Sequence, residues 1–133
     1  MTRVMVAFIA AAVGLGAAED ALKTIRSQHP RLILLDSDLD HIHALIQQHP
    51  LARKIHGDLV KEAEKLMGTP TVEYKLAGPR LLAESRRCLD RVYTLALLYR
   101  LDGKKQYVER ALRELRAAAD FKDWNPSHFL DTA

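Results

Sequence analysis

Two apolar repeats with helical spacing, joined by a very short turn, constrain the fold of this chain more than any other feature. The first repeat opens at Gly78-Pro79 and ends at Asp102-Gly103, a pair typical of a helix C-terminus because glycine readily adopts the left-handed cap conformation. The second repeat predicts a helix over 104–119. Since the turn between them is so short, the two helices are expected to form an antiparallel hairpin. The apolar positions of the first repeat are Leu81, Leu82, Ser85, Leu89, Val92, Leu95, Ala96 and Tyr99. Those of the second repeat are Tyr107, Ala111, Leu112, Leu115, Ala118 and Ala119.

Two further helices are predicted before this hairpin. Ser37 is a favourable N-cap, and the apolar spacing after it predicts a helix over 38–48. Pro50 suits the first position of the next helix, which is predicted over 51–67 and is terminated by the residues at 68–70. The chain is therefore predicted to be all-α and built from antiparallel helix hairpins.

The first residues have the pattern of a secretory signal peptide. Arg3 supplies a positive start, Val4–Gly16 is an uninterrupted apolar run, and small residues follow as far as Ala18. The run is shorter than the roughly 20 apolar residues that cross a bilayer, so cleavage after Ala18 is favoured over a retained anchor. We therefore predict a signal peptide over 1–18 and an exported protein, periplasmic or extracellular, with 19–133 as its mature part and no membrane attachment after cleavage.

Charge and cysteine content narrow the class of protein. Of the 20 basic and 17 acidic residues, only Arg3 lies in the signal segment, which leaves 19 basic against 17 acidic residues and a net charge of +2. Lys and Arg alternate with Asp and Glu instead of forming the concentrated patch of a nucleic-acid-binding protein, so we predict solvated helix faces and no nucleic-acid partner. Cys88 is the single cysteine, and its place between apolar helix positions predicts a buried thiol.

Two long blocks of the sequence, His29–Met67 and Gly78–Ala133, carry a family resemblance. Their most specific element is DWNPSHFLD at 123–131, followed by the helix over 86–103. Together with the signal peptide, these blocks resemble the N-terminal region of heparinase II/III-like proteins, which include exported bacterial polysaccharide lyases of the alginate-lyase type. The resemblance implies an incomplete (α/α) toroid, which complete members follow with a β-sandwich. It also implies cleavage of acidic, uronic-acid-containing polysaccharide by β-elimination.

The end of the chain predicts that it is one part of such a fold. Residues 128–133 have the pattern of the first turn of a fifth helix, and no terminator follows them. The resemblance places the catalytic Tyr and His of the family beyond this point, so we expect no catalytic residue within the chain. The alternative is a free-standing, non-catalytic helical-hairpin module that binds a glycan or protein partner, although repeats of this kind normally come in threes or more.

One loop gathers the side chains suited to contact an acidic sugar. Trp124 offers an apolar face to a sugar ring, while Asn125 and His128 offer hydrogen bonds to its carboxylate or hydroxyl groups. We predict these three as substrate-binding residues for an acidic polysaccharide or oligosaccharide. The alternatives are structural: Asn125 or Ser127 would cap the helix that begins near His128, and Trp124 would fill an apolar gap beside Phe121.

The remaining helix histidines do not suggest a metal site. His41 and His43 are two residues apart and diverge on a helix, while His49 lies at a break and His56 lies two turns further on. Neither an HExxH motif nor a Cys/His pair accompanies them. We therefore predict solvated histidines, no metal and no cofactor, and the sequence leaves the oligomeric state open.

Overall fold

The structure of the chain is a computed structural model. Its described residues are 23, 26–30 and 33–132. The chain divides into two compact units, Met1–Asp36 and Ser37–Ala133, and nearly every described element belongs to the second. The predicted signal peptide over 1–18 lies outside the described residues.

The described part of the chain is all-α, as predicted. Its four α-helices and one short 3-10 helix are, in chain order, α1 (Asp36–Gln48), α2 (Pro50–Met67), α3 (Leu82–Asp102), α4 (Lys105–Ala119) and the 3-10 helix Pro126–Asp131. Proline opens both α2 and the 3-10 helix, which suits these positions because the N–H that proline lacks is one that a helix leaves unpaired. In this part of the chain, no helix combines the length and hydrophobicity that a membrane span requires.

Helices α3 and α4 form the predicted antiparallel hairpin. Gly103 follows the end of α3 with a φ of 68°, and its N–H donates to the Tyr99 carbonyl oxygen at 2.9 Å. A residue with a Cβ atom would be strained in this left-handed conformation. The Cys88 Sγ atom lies 4.0 Å from the Glu114 carbonyl oxygen, so the beginning of α3 meets the end of α4.

The core lies where α2 packs against this hairpin. Its buried side chains are Ala63 and Leu66 from α2, Leu95 and Leu98 from α3, and Tyr107 and Ala111 from α4. Leu95, Leu98 and Tyr107 are completely buried. The wide apolar stripe of α3 is only partly covered in the described structure, since Leu89 is 48% exposed and Tyr99 is 38% exposed.

Helix α3 begins later than the sequence pattern predicted. Gly78 has a φ of 58°, and a tight turn pairs the backbones of Ala77 and Arg80 through hydrogen bonds of 2.9 and 3.2 Å. The chain therefore reverses direction at Gly78-Pro79, and α3 begins only at Leu82. The Gly-Pro pair forms a turn here instead of opening the helix, as both residues readily do.

The fifth helix also differs from its prediction. It begins at Pro126, upstream of the predicted start near His128, and it is a 3-10 helix. His128 interrupts it with a φ of −135° and a ψ of 50°. Asn125 precedes it with a φ of 52°, in the left-handed region that asparagine tolerates better than most residues. The Asn125 side chain makes no capping hydrogen bond, so the structural alternative in which Asn125 caps this helix is wrong.

A buried ionic network is present where the sequence predicted solvated helix faces. Glu114 is completely buried, and its Oε1 atom forms an ion pair with Arg110 at 2.7 Å and accepts a hydrogen bond from Arg91 at 2.8 Å. Its Oε2 atom accepts the Val72 N–H at 2.9 Å. Arg110 also donates through Nε to the Leu66 carbonyl oxygen at 2.9 Å. These charged groups hold the long connection between α2 and α3 against the hairpin.

Two of the helix histidines are half-buried and paired within the protein, where the prediction had all four solvated. The His43 Nε2 atom lies 2.9 Å from the Leu101 carbonyl oxygen, and the His56 Nε2 atom lies 2.8 Å from the Asp102 carboxylate. The first contact joins α1 and the second joins α2 to the C-terminal end of α3, where the helix dipole favours hydrogen-bond donors. The other two of the four histidines considered above, His41 and His49, are exposed. Among the described residues, no group of three or more His, Cys, Asp or Glu side chains is placed to hold a metal ion.

Candidate functional site

The predicted site loop follows α4 and is held against the turn that precedes α3. Asp131 is buried, and its carboxylate accepts hydrogen bonds from the Arg80 side chain at 2.5 to 3.0 Å. The Leu81 N–H donates to the same carboxylate at 3.0 Å, which satisfies one of the N–H groups that a helix start leaves unpaired. The hydrogen bonds from Arg80 hold the pKa of Asp131 below its ordinary value.

A second set of contacts fastens the beginning of the loop. The Asp123 Oδ1 atom accepts the Asn125 N–H at 2.9 Å and the Tyr74 hydroxyl at 2.8 Å. These two hydrogen bonds, the one from Asn125 first, hold the pKa of Asp123 below its ordinary value, and the bond to Asp123 raises the pKa of Tyr74. The Tyr74 ring packs edge-on against Phe121, with 5.6 Å between the ring centroids.

The side chain of Asn125, a predicted substrate-binding residue, is hydrogen-bonded within the protein. It is only 6% exposed, and its Nδ2 atom donates to the Pro79 carbonyl oxygen at 2.9 Å. Like Asp131, it ties the loop to the turn before α3. Its amide therefore anchors the loop, and its contact with a substrate stays a prediction.

Trp124 borders an apolar cavity of about 250 Å³ beside the loop. The residue is 58% exposed, and its indole N–H donates to the Ala118 carbonyl oxygen at 3.2 Å, which fixes the ring at the end of α4. The cavity is lined by Glu84, Ser85, Cys88, Leu89, Ala118, Phe121, Trp124 and Thr132. Trp124 therefore lines the same cavity as Phe121, and more than half of its surface stays accessible.

The Cys88 thiol lines the same cavity. It is buried, as predicted, and burial, aided by the charge of Glu114, raises its pKa. A raised pKa keeps the sulfur in its protonated form, which is a weak nucleophile. Cys88 therefore contributes an uncharged, apolar wall to the cavity.

His128, the third predicted residue, is half-buried. Its backbone N–H donates to the Asn125 carbonyl oxygen at 2.8 Å. Its Nδ1 atom is buried and has no hydrogen-bond partner among the described residues. Because buried polar atoms in proteins are usually paired, this imidazole keeps hydrogen-bonding capacity that the described part of the chain does not use. Contact between His128 and a substrate stays a prediction.

A second, larger cavity was not predicted from the sequence. It measures about 460 Å³ and lies between the 70–77 segment and the beginning of α3, where Glu84, Arg87 and Arg91 line it. An adjoining cavity of about 390 Å³ shares Arg87 and Arg91 with it, and we call the two together the charged groove. Glu84 also lines the Trp124 cavity, so the groove and that cavity are neighbours. Three closely spaced arginines on α3 were the sequence signal that could have indicated the groove.

We expect acid to destabilise the fold through Asp123 and Asp131. In the folded chain both carboxyl groups have pKa values below their ordinary value of 3.8. Their ionised forms therefore contribute stability that is fully present above the unfolded pKa and is lost as the pH falls through the folded pKa. Urea unfolding midpoints measured from about pH 6 to about pH 3 should fall most steeply at the acid end.

Two variants test the assignment of this acid sensitivity. Asp131→Asn should lower the unfolding midpoint at neutral pH and reduce the further fall below about pH 4, because one of the titrating groups has gone. Asp120→Asn removes an exposed carboxylate at the end of α4 and should leave the profile unchanged. An identical acid profile in Asp131→Asn and the wild-type chain would contradict the role given to Asp131.

The candidate site therefore has two neighbouring parts. Trp124 and Cys88 border an apolar cavity, Arg87 and Arg91 border the charged groove, and Glu84 lines both. Such an arrangement suits a ligand that combines an apolar face with a charged or polar group. Compared with known proteins, the chain matches no protein-family model and no curated protein sequence.

Proposed function

We propose that the chain is the N-terminal helical part of an exported polysaccharide lyase of the heparinase II/III-like, alginate-lyase type. In such an enzyme, the α3–α4 hairpin and the α2 helix packed against it would belong to an (α/α) toroid, a ring of antiparallel helix pairs. The substrate would be an acidic, uronic-acid-containing polysaccharide cleaved by β-elimination. The proposal is supported by the sequence resemblance, strongest over 123–131, and by the antiparallel packing of the helices.

Within that enzyme, this chain would supply scaffold and one wall of the substrate groove. The observation that carries this role is Trp124, which is 58% exposed beside an apolar cavity while its indole N–H is bonded to Ala118. An aromatic face stacks on the C–H face of a sugar ring, and a ring held in place beforehand loses less conformational entropy on binding. The ion pair between Asp131 and Arg80 holds the same loop in position.

The proton-transfer groups of the elimination would come from outside this chain. Elimination at a uronic acid needs a base for the C5 proton and an acid for the leaving O4 oxygen. Tyr74 is a poor base because its hydroxyl donates to Asp123, which raises the pKa of Tyr74. Tyr107 is completely buried in the core. Neither Tyr74 nor Tyr107 is therefore suited to the reaction.

Fluorescence tests the proposed role of Trp124 because this residue is the only tryptophan. An alginate-derived trisaccharide should change the emission of the wild-type chain, whereas a neutral trisaccharide of glucose should leave it unchanged. Trp124→Ala should bind the acidic trisaccharide about tenfold more weakly by calorimetry, since about 1.4 kcal/mol of stacking is lost.

Trp124→Phe is the matched control, because it keeps an aromatic face and should retain most of the affinity. If Trp124→Ala binds as tightly as the wild-type chain, the proposed role of Trp124 is wrong. The chain incubated with alginate should release no unsaturated uronates, which absorb ultraviolet light. Their release would contradict the proposal that the proton-transfer groups lie elsewhere.

A non-catalytic helical-hairpin module that binds a glycan or a protein is the second candidate. The contacts of Asn125 and Asp131 favour this candidate. These polar side chains bond to Pro79 and Arg80 within the protein, so their role in the loop is structural. The full natural protein, purified from its native source, distinguishes the two. Cleavage of a uronic acid polymer would support the lyase, and binding without cleavage would support the module.

A further inference from the structure

The charged groove beside α3 has a wall that is held in place by buried groups. This wall is the 70–77 segment, whose Val72 N–H donates to the buried Glu114 carboxylate and whose Pro70 carbonyl oxygen accepts from Arg91 at 2.8 Å. Buried ion pairs contribute little net stability compared with apolar side chains of similar size, and in several proteins they specify one conformation. The wall is therefore preorganised, which lowers the entropy cost of binding a ligand against it.

Arg87 has hydrogen-bonding capacity to spare in this groove. Its side chain is 48% exposed and pairs with the Glu84 carboxylate, which is itself only 6% exposed. A guanidinium group carries five N–H donors, so the pairing with Glu84 leaves donors for a ligand. Arg87 lines both cavities of the groove, and Lys75 lines the larger one.

The net charge of the groove indicates how it would recognise a ligand. Four acidic and four basic side chains line its two cavities, so their long-range fields largely cancel. Recognition then depends on short hydrogen bonds of defined geometry. A planar guanidinium group matches a carboxylate in this way, because two parallel N–H donors meet the two carboxylate oxygens.

We propose that Arg87 binds the carboxylate of an acidic sugar within an oligosaccharide that also contacts Trp124. Glu84 lines both the charged groove and the Trp124 cavity, and in this proposal linked sugars of one ligand would make the two contacts on either side of it. Glu84 is then a positioning residue that orients Arg87. This inference rests on the proposed function. It adds Arg87 as the residue that would distinguish uronic acids from neutral sugars, because only uronic acids carry the carboxylate.

Calorimetric binding of an alginate-derived trisaccharide to Arg87→Gln tests this assignment. The affinity should fall about tenfold because a charge-assisted pair of hydrogen bonds is lost. Arg87→Lys should recover only part of it, since an ammonium group cannot form the paired geometry. Arg113→Gln makes the same charge change at an exposed arginine of α4 and should bind like the wild-type chain. Circular dichroism checks that each variant is folded.

The outcomes separate this inference from the proposed function. If Arg87→Gln binds like the wild-type chain while Trp124→Ala binds more weakly, Arg87 is not the carboxylate contact and the proposed function still stands. If the wild-type chain does not bind the trisaccharide, the proposed function and this inference both fail. A sulfated oligosaccharide without carboxylates tests the nature of the anion: weaker binding than the uronate supports the carboxylate assignment, and equal or tighter binding overturns it.

Discussion

Replacing Glu114 by glutamine is expected to lower the free energy of unfolding by about 3–5 kcal/mol. The Glu114 side chain is completely buried, and its carboxylate contacts Arg110, which is 1% exposed, and Arg91. The amide keeps the size of the carboxylate but leaves two guanidinium groups without a negative partner, one of them shielded from water. Urea unfolding should show the loss as a lower midpoint with an unchanged slope.

Two further variants separate the loss of this charge from other effects. Glu109→Gln changes an exposed residue of the same helix and should alter the free energy of unfolding by less than about 0.5 kcal/mol. Glu114→Gln combined with Arg110→Met should lose less than the sum of the two single changes, because both members of the pair are then uncharged. Strict additivity would show that Glu114 and Arg110 are not energetically coupled.

Leu95→Ala should produce the second large effect, a loss of about 2–5 kcal/mol in the free energy of unfolding. Leu95 is completely buried in the core with Leu98, Tyr107 and Ala63. Truncation removes apolar contacts and leaves a cavity that closely packed helices fill only in part. Since a domain of this kind commonly has about 5–15 kcal/mol of stability in total, the lower urea midpoint should be readily measured.

The same substitution at Leu89 is the matched control. Leu89 lies on the same helix, but it is 48% exposed and borders the Trp124 cavity instead of the core. Leu89→Ala should therefore cost less than about 1 kcal/mol. Equal losses at Leu89 and Leu95 would contradict the placement of the core between α2 and the hairpin.

The helix hairpin was predictable because several local signals agree on it. The apolar spacing and the Asp102-Gly103 pair indicate the same helix end, and the structure ends α3 at Asp102 with Gly103 in the left-handed cap. Pro50 likewise opens α2 as predicted. Signals of this kind act over a few residues, so they can be interpreted without knowledge of tertiary contacts.

Boundaries that depend on distant contacts were not predictable in the same way. The predicted start of α3 at Gly78-Pro79 was wrong, because these residues turn and the Leu81 N–H then binds Asp131, which is 50 residues further along the chain. The 3-10 helix is also held from outside itself, since the preceding Asn125 side chain bonds to Pro79. The sequence does not show which backbone group a buried carboxylate or amide will meet.

The burial of charge was missed for a related reason. Arg110 and Glu114 are four residues apart on α4, a spacing typical of an exposed ion pair on a helix surface. Both are buried because the connection between α2 and α3 contacts them and needs partners for its backbone groups. The Val72 N–H and the Thr69 carbonyl oxygen find those partners in Glu114 and Arg110. Such a pair has the same sequence pattern whether or not another segment covers it.

At the candidate site, the sequence indicated the loop but not the surroundings of each side chain. Trp124 borders a cavity, which its predicted role requires, whereas the Asn125 amide is bonded to Pro79. The charged groove around Arg87 was missed because its two walls are separate segments, 70–77 and the beginning of α3. Their adjacency depends on tertiary packing, which the periodicity of a single helix does not report.

The polar contacts between distant segments also bear on the order in which the chain folds. Helices α3 and α4 are joined by a short turn, so their contacts close small loops, and we expect this hairpin to form early. The contact of His43 with Leu101 spans 58 residues, and that of Leu81 with Asp131 spans 50, so each requires a larger loop to close and forms later. A folding intermediate arrested between these stages would contain the hairpin while the loop bearing Trp124 was still detached, and it would be a helical scaffold without the proposed binding wall.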